Sequence, residues 1–203
     1  MIKTLIFDFG DVFINLDKQG AMQTALNLFE FDEFPEELLA VNSLYEQGLL
    51  TTREFLESYT DNFPEHSEQD IIKTWNCILK DFPIHRLEFI QQLAKENKYK
   101  LILLSNTNTL HIDWIIEHVP FYNDFKAAFN AFYLSHEIHL RKPDREIFDF
   151  VLKENSLLPE ETLFIDDTEE NIIAAKTMRI HTWQIDPITE DVVNLFTAKK
   201  ELF

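Results

Sequence analysis

A single cysteine, Cys77, stands in the 203 residues of this chain, so no disulfide can form within it. It falls on the apolar side of a predicted helix, where a buried, inert thiol is expected. Basic residues are also few: 18 Lys and Arg against 36 Asp and Glu give a net charge of -18. That balance repels nucleic acid phosphates and anionic lipid surfaces, and no Lys/Arg cluster with interleaved aromatics offsets it. Long hydrophobic runs are missing as well. The N-terminal apolar stretch is too short for the core of a signal peptide and no segment reaches membrane-spanning length, so a soluble, cytoplasmic protein is expected. There are no repeats and no low-complexity segments. Glycine is scarce, with three residues, which gives each of them more than usual meaning.

What remains is a chain with 45% hydrophobic and 13% aromatic residues, 19 of them Phe, enough for a packed core. The first apolar run, Leu5-Ile6-Phe7, ends abruptly in Asp8-Phe9-Gly10-Asp11, which reads as a buried strand delivering carboxylates to a sheet edge. From about Lys18 to Leu79 only helical periodicity follows. Ala21, Met22, Ala25, Leu26 and Phe29 form one apolar stripe; Ile71, Ile72, Trp75, Ile78 and Leu79 form another. Shorter helices are predicted around Leu38 to Tyr45 and Glu54 to Tyr59, with Thr51 to Glu54 spaced as a capping box and Ser67 as a further N-cap.

Beyond Asp81-Phe82-Pro83 the pattern changes to alternating helix and strand. Helices striped by Leu87, Ile90, Leu93 and Ala94, by Ile112 to Ile116, and by Ile147, Phe148, Val151 and Leu152 separate the runs Leu101 to Leu104, Phe132 to Leu134 and Leu163 to Ile165. Pro143 suits a first helical position. A last strand is expected near Ile180 to Ile185, and a final helix after Asp186. Apolar runs separated by amphipathic helices predict an α/β fold, a doubly wound and mainly parallel sheet with helices on both faces. The division expected is a core of residues 1–16 and 82–203 and a small all-α domain of residues 17–81.

In such a sheet ligands bind beyond the carboxyl ends of the strands, where strand order reverses. Asp8, Ser105, Lys142, Asp166 and Asp167 all fall there. Asp166 and Asp167 also suit the N-terminus of the helix carrying Ile172, Ala175 and Met178. Adjacent acids ending a buried strand are costly without positive compensation, and a hard divalent cation bound by oxygen would supply it. The run His136-Glu137-Ile138-His139 lacks the spacing of a helical zinc pair, because Leu140 stands where the second His belongs.

Phe7-Asp8-Phe9-Gly10-Asp11-Val12, Leu104-Ser105-Asn106-Thr107-Asn108, Arg141-Lys142-Pro143 and Phe164-Ile165-Asp166-Asp167-Thr168-Glu169-Glu170-Asn171-Ile172 resemble the four signature motifs of the haloacid dehalogenase-like (HAD) hydrolase superfamily. The similarity spans the core, and the helical insert resembles that superfamily's cap. The branch it looks closest to holds sugar-phosphate phosphatases and the phosphatase-like domains of epoxide hydrolases. The resemblance implies that Asp8 is the nucleophile that accepts a phosphoryl group. It implies Mg²⁺ held by Asp8, the Gly10 backbone carbonyl and Asp167, with Asp166 direct or acting through water. Ser105 and the Asn106 backbone N–H would hold phosphate oxygens, Lys142 would neutralise charge, and Glu46, in the turn Glu46-Gln47-Gly48, would contact substrate.

The chain departs from the phosphatase pattern at one position. A second Asp two residues after the nucleophile usually serves as general acid and base, and here that position is Gly10. Asp11 is one residue out of place, and His111 is a conceivable helper. Three readings follow: a Mg²⁺-dependent phosphohydrolase of a small phosphorylated metabolite such as a sugar phosphate, a hydrolytic dehalogenase of small haloacids, or a non-catalytic protein that binds Mg²⁺ and phosphate.

Overall fold

A computed structural model describes all 203 residues. Five strands form one parallel sheet: β1 (Thr4–Phe7), β2 (Lys100–Ser105), β3 (Ala131–Leu134), β4 (Thr162–Asp166) and β5 (His181–Gln184), in the order β3-β2-β1-β4-β5. β1 is central, with Phe7 opposite both Leu103 and Ile165. The Asp8 N–H extends the ladder one residue further by donating to the Ile165 carbonyl at 2.9 Å.

Strand periodicity decides which face each residue serves. Leu5, Phe7, Leu101, Leu103, Leu163 and Ile165 join one large apolar cluster, while Ile6, Ile102, Leu104 and Phe164 join the cluster on the opposite face. Both faces of β1 are therefore buried, which is why its sequence is continuously apolar instead of alternating. Asp8 and Asp166 stand two residues beyond Ile6 and Phe164, so they emerge on the same face of the sheet.

Helices α1 (Lys18–Leu28), α2 (Glu36–Glu46), α3 (Thr52–Thr60) and α4 (Glu68–Asn76) separate β1 from α5 (Ile84–Glu96). α3 and α4 start with complete capping boxes, Thr51 with Glu54 and Ser67 with Asp70. The four helices gather around Phe29, Leu38, Tyr45, Phe55, Tyr59 and Ile71, an apolar cluster distinct from the two against the sheet. Chain entry and exit run side by side. Asn15 and Lys80 N–H groups donate to the carbonyls of Asp81 and Asn15, and Asp17 N–H donates to Ile78. Buried Arg86 ties this neck down by donating to the Phe13 carbonyl, the Asn15 side chain and Asp191.

The remaining elements are α6 (Thr109–His118), α7 (Tyr122–Ala127), α8 (Ser135–Ile138), α9 (Arg145–Glu154), α10 (Glu169–Thr177) and α11 (Leu195–Ala198). Four expectations need correction. α7 lies where a loop was expected after Pro120, because Tyr122 and Phe125 bury against Phe9, Phe13 and Phe132. The tail is not one helix but a helical turn, α11 and a second turn, because Phe196 and Phe203 fold back onto Tyr99. Pro143 precedes α9 instead of opening it; Asp144 is the N-cap, since side-chain contacts clamp the Lys142 backbone ahead of the helix. Cys77 is half-buried at the end of α4, not inside it.

Candidate active site

The carboxyl ends of β1, β2 and β4 bring Asp8, Ser105, Asp166 and Asp167 together with Lys142. Lys142 Nζ donates to Asp8 Oδ1 and to Asp166 Oδ2, both at 2.7 Å, and its side chain is 1% exposed. Burial by itself would depress the Lys142 ammonium; Asp166 and Asp8 outweigh it and hold the group above its ordinary value. Burial raises the Asp8 carboxyl well above the usual carboxylate range, opposed by Lys142 and reinforced by Asp166. Asp8 Oδ1 is held by Lys142, whereas Oδ2 accepts no hydrogen bond from the protein.

Asp166, fully buried, is saturated by donors. Besides Lys142, the Thr168 N–H and Asn171 Nδ2 donate to it at 2.8 to 3.1 Å. The capping interpretation and the chemical one therefore coexist: Asp166 satisfies the backbone entering α10 and fixes Lys142. Asp167 is open to the pocket. Burial raises its carboxyl in spite of Lys18, whose ammonium bridges Asp167 and Asp11. Oxygen atoms of Asp8, Asp166 and Asp167 lie within 4.8 Å of one another, a set of hard donors suited to a metal ion.

A cavity of about 390 Å³ opens onto this cluster, lined among others by Asp8, Gly10, Asn106, Lys142, Asp167 and Asn171. Ser105 is buried just behind it, at 3% exposure. Its hydroxyl has only a long contact with the Asn106 carbonyl at 3.4 Å, and Asn108, not Ser105, caps α6. The Asn106 side chain has a role that was not visible in the sequence. Its Nδ2 donates to the Lys142 carbonyl at 2.8 Å and its Oδ1 accepts from the Lys142 N–H at 2.9 Å, a two-point clamp on the lysine backbone.

Gly10 lies against the Leu16 side chain. A Cβ there would meet Leu16 Cδ1 at 2.6 Å, so the position carries no side chain without displacing Leu16. Asp11 does not substitute for it. With φ of 56° its carboxylate turns to the Leu16 N–H and to Lys18, away from the cavity. His111 lines the cavity with both ring nitrogens engaged, Nδ1 accepting from Asn108 Nδ2 and Nε2 donating to the Trp75 carbonyl. Burial lowers it to about 4, so it is a neutral structural group.

From the helical insert, Glu46 reaches the cavity and pairs with Arg141 Nη2 at 3.0 Å. Burial raises its carboxyl despite that pairing. Its backbone is docked on the core: Ser135 Oγ donates to the Glu46 carbonyl, and His139 Nδ1 to the Gln47 carbonyl. Gly48, at φ 66°, lies so close to the His136 carbonyl that a Cβ would come within 2.0 Å of it. The His136 to His139 run thus serves the docking of this turn. Lys18, Asn171, Arg141 and the Asn106 side chain are the site residues that sequence reasoning missed. Asn171 and Arg141 lie inside the motifs, and Lys18 follows directly on Asp17 at the insert's entry.

A family model for haloacid dehalogenase-like hydrolases matches residues 2–179. D-ribitol-5-phosphate phosphatase of Bacteroides thetaiotaomicron is 30% identical over 195 residues, covering 91% of this chain and 92% of that protein. The crystal structure of a HAD family enzyme from the same organism, in complex with magnesium and inorganic phosphate, superposes with a TM-score of 0.82 at 32% identity, covering 97% of this chain and all of that one. A HAD-like hydrolase from Porphyromonas gingivalis gives 0.82 at 26% identity, with 98% and 97% coverage. With the four motifs assembled at one sheet edge and the match extending over nearly the whole chain, this protein belongs to the haloacid dehalogenase-like hydrolases.

Proposed function

We propose that the protein is a magnesium-dependent phosphomonoesterase that cleaves a small phosphorylated metabolite through an aspartyl phosphate on Asp8. The observation that carries this reading is the buried Lys142 ammonium bridging Asp8 and Asp166 beside the open Asp167 carboxylate. A phosphate dianion can approach three carboxylates only where positive charge cancels the repulsion. The magnesium and phosphate present together in the Bacteroides structure support the same pocket chemistry.

The donor set fits magnesium. Asp8 and Asp167 offer oxygens to the pocket, Gly10 lines it, and Asp166, already saturated, suits contact through water. When bound, the cation supplies Lewis-acid neutralisation of the phosphate and favours the ionised form of Asp8. Asp8 Oδ2 attacks phosphorus, the ester P–O bond breaks, and the departing alkoxide takes its proton from a water molecule, whose hydroxide is neutralised in solvent. Water then attacks the acyl phosphate at phosphorus, releasing inorganic phosphate and restoring the carboxylate. Lys142 stabilises charge on Asp8 and on the phosphoryl oxygens, the Ser105 hydroxyl and the Asn106 N–H hold the non-bridging oxygens, and Glu46 contacts the leaving group. Residues 17–81 act as a cap that excludes water during the transfer.

The test is phosphate release from a panel of small phosphorylated metabolites, with Mg²⁺ and with excess chelator. D-ribitol 5-phosphate belongs in the panel because of the 30% identity to its phosphatase. Release that requires both Mg²⁺ and Asp8 is the expected result. Full activity on haloacids in chelator would replace this reading with a dehalogenase, and phosphate binding without turnover would leave a binding protein.

A further inference from the structure

The helical insert carries a second cavity, of about 410 Å³, a volume within the range of small-molecule pockets. Ten of its seventeen lining residues are hydrophobic, against three of sixteen in the catalytic cavity. α1 explains how it arises. The helix has the apolar stripe Ala21, Met22, Ala25 and Phe29, yet no residue within Lys18–Leu28 is fully buried. α1 packs against α4, and part of its stripe lines the cavity together with Ile71 and Trp75 of α4. Met22 and Leu39, both on the lining, are 48% and 47% exposed, so the apolar wall extends to the mouth.

This chamber meets the catalytic cavity. Lys18, Glu46, Ile78, His111 and Arg141 line both. Two buried donors on the chamber's lining residues have no partner within the protein: Trp75 Nε1, and Nε of Arg141, which lines both cavities. A buried donor left unpaired is unfavourable, and an acceptor on a bound molecule would relieve it. The arrangement is thus polar at the phosphate and apolar beyond, with spare donors on the lining residues.

We propose that the chamber receives the leaving group, and that the substrate is a phosphate monoester whose alcohol is apolar beyond its first carbons, a short alkyl, prenyl or aryl chain, rather than a polyol hydroxylated along its length. This rests on the phosphomonoesterase reading and departs from the substrate named for the Bacteroides relative. Beyond the residues shared with the catalytic cavity, the polar side chains on the lining are Asn42, Ser43 and Thr74, and Asn42 Oδ1 already accepts from Tyr59. A polyol would therefore give up water from more hydroxyls than this wall can replace, whereas each buried methylene is favourable by an amount equivalent to about a fourfold gain in kcat/KM.

The test is a homologous series of n-alkyl phosphates from ethyl to octyl, with D-ribitol 5-phosphate beside pentyl phosphate, assayed with Mg²⁺. The expected result is a rise in kcat/KM of about fourfold per methylene until the chamber fills, and pentyl above ribitol phosphate. Ala25→Phe, which fills the chamber, should flatten the ratio of octyl to ethyl phosphate. Met22→Glu, at an exposed position that does not threaten folding, should reduce the same ratio by charging the mouth. Release that is flat or falling with chain length, or that favours ribitol phosphate, overturns the proposal while leaving the phosphatase reading intact. Absence of release from every ester overturns the phosphatase reading instead. The chamber is then judged by thermal stabilisation: octyl phosphate stabilising more than ethyl phosphate, and less so in Ala25→Phe, supports it, and equal stabilisation overturns it.

Discussion

Two cavities of similar volume meet under the helical insert, and they are built on opposite principles. In the catalytic cavity every charged lining residue except the exposed Glu170 has an assigned partner: Lys142 with Asp8 and Asp166, Lys18 with Asp11 and Asp167, Arg141 with Glu46. In the chamber, apolar side chains face space and leave two donors unpaired. Buried charge tolerates no slack, because an uncompensated ion in the interior is strongly unfavourable. Apolar surface tolerates it at modest expense, which leaves room for a ligand to supply the missing contacts. The first region is accordingly rigid in its chemistry, and the second is where selectivity can reside.

Breaking the charged region should have the largest effects. Asp8→Asn is expected to lower turnover by at least about three orders of magnitude, since it removes the proposed nucleophile, while thermal unfolding stays near that of the wild type. The fold should survive because the raised Asp8 carboxyl is already poorly suited to its buried charge. Phosphate release near the wild-type rate would remove Asp8 from its assigned role. Lys142→Met should abolish turnover as well and, unlike Asp8→Asn, destabilise the protein by about 3–5 kcal/mol in urea, because Asp8 and Asp166 lose their shared cation. Equal stability of the two variants would contradict the compensation argument on which the first region rests.

The same contrast explains what the sequence discloses. Asp8, Asp166 and Asp167 are legible because strand ends place them on one edge, and Lys142 because it stands just ahead of a helix in a recognisable order. Asn106 as a clamp on Lys142 is not legible, since a side chain binding the backbone 36 residues away leaves no periodic trace. The chamber is hidden for a stronger reason. The stripe of α1 reads as an ordinary core stripe, and only the three-dimensional packing reveals that part of it lines a cavity. Gly10 was legible as a departure, but its close approach to the Leu16 side chain was not. α7 escaped for want of length: six residues hold less than two turns of a stripe.

Between the two regions, His111 offers a measurement of intermediate size. Burial lowers it from 6.5 to about 4, so the folded protein keeps it neutral over a range in which the unfolded chain protonates it. Its contribution is therefore fully present above pH 6.5 and is lost as the pH falls toward 4, by about 1–3 kcal/mol. His111→Leu loses two hydrogen bonds at every pH but also loses this titration. The stability advantage of wild type over His111→Leu should narrow from pH 7 to pH 4 in urea melts. A constant gap would mean that the ring is solvated well enough to protonate in place.

Lys18 is the residue where the comparison is sharpest and the expected effect smallest. Its side chain is half exposed, lines both cavities and bridges Asp167 to Asp11. Burial disfavours the ammonium, and the two carboxylates outweigh that, so it stays charged. If Asp167 ligates magnesium, Lys18 competes for the same carboxylate, and Lys18→Met frees it while making the pocket one charge more negative. With the lysine half exposed and solvent screening the pair, the competition is worth about 0.5–1 kcal/mol, so half-saturating Mg²⁺ should fall by about two- to fivefold at saturating substrate. The substrate KM should move the other way, because the phosphate loses a nearby cation. Opposite shifts of the two constants are the signature of a lysine shared between metal ligand and substrate. A Mg²⁺ requirement that rises in Lys18→Met would instead make Lys18 a support that orients Asp167, and would move the neck between the two cavities into the catalytic region.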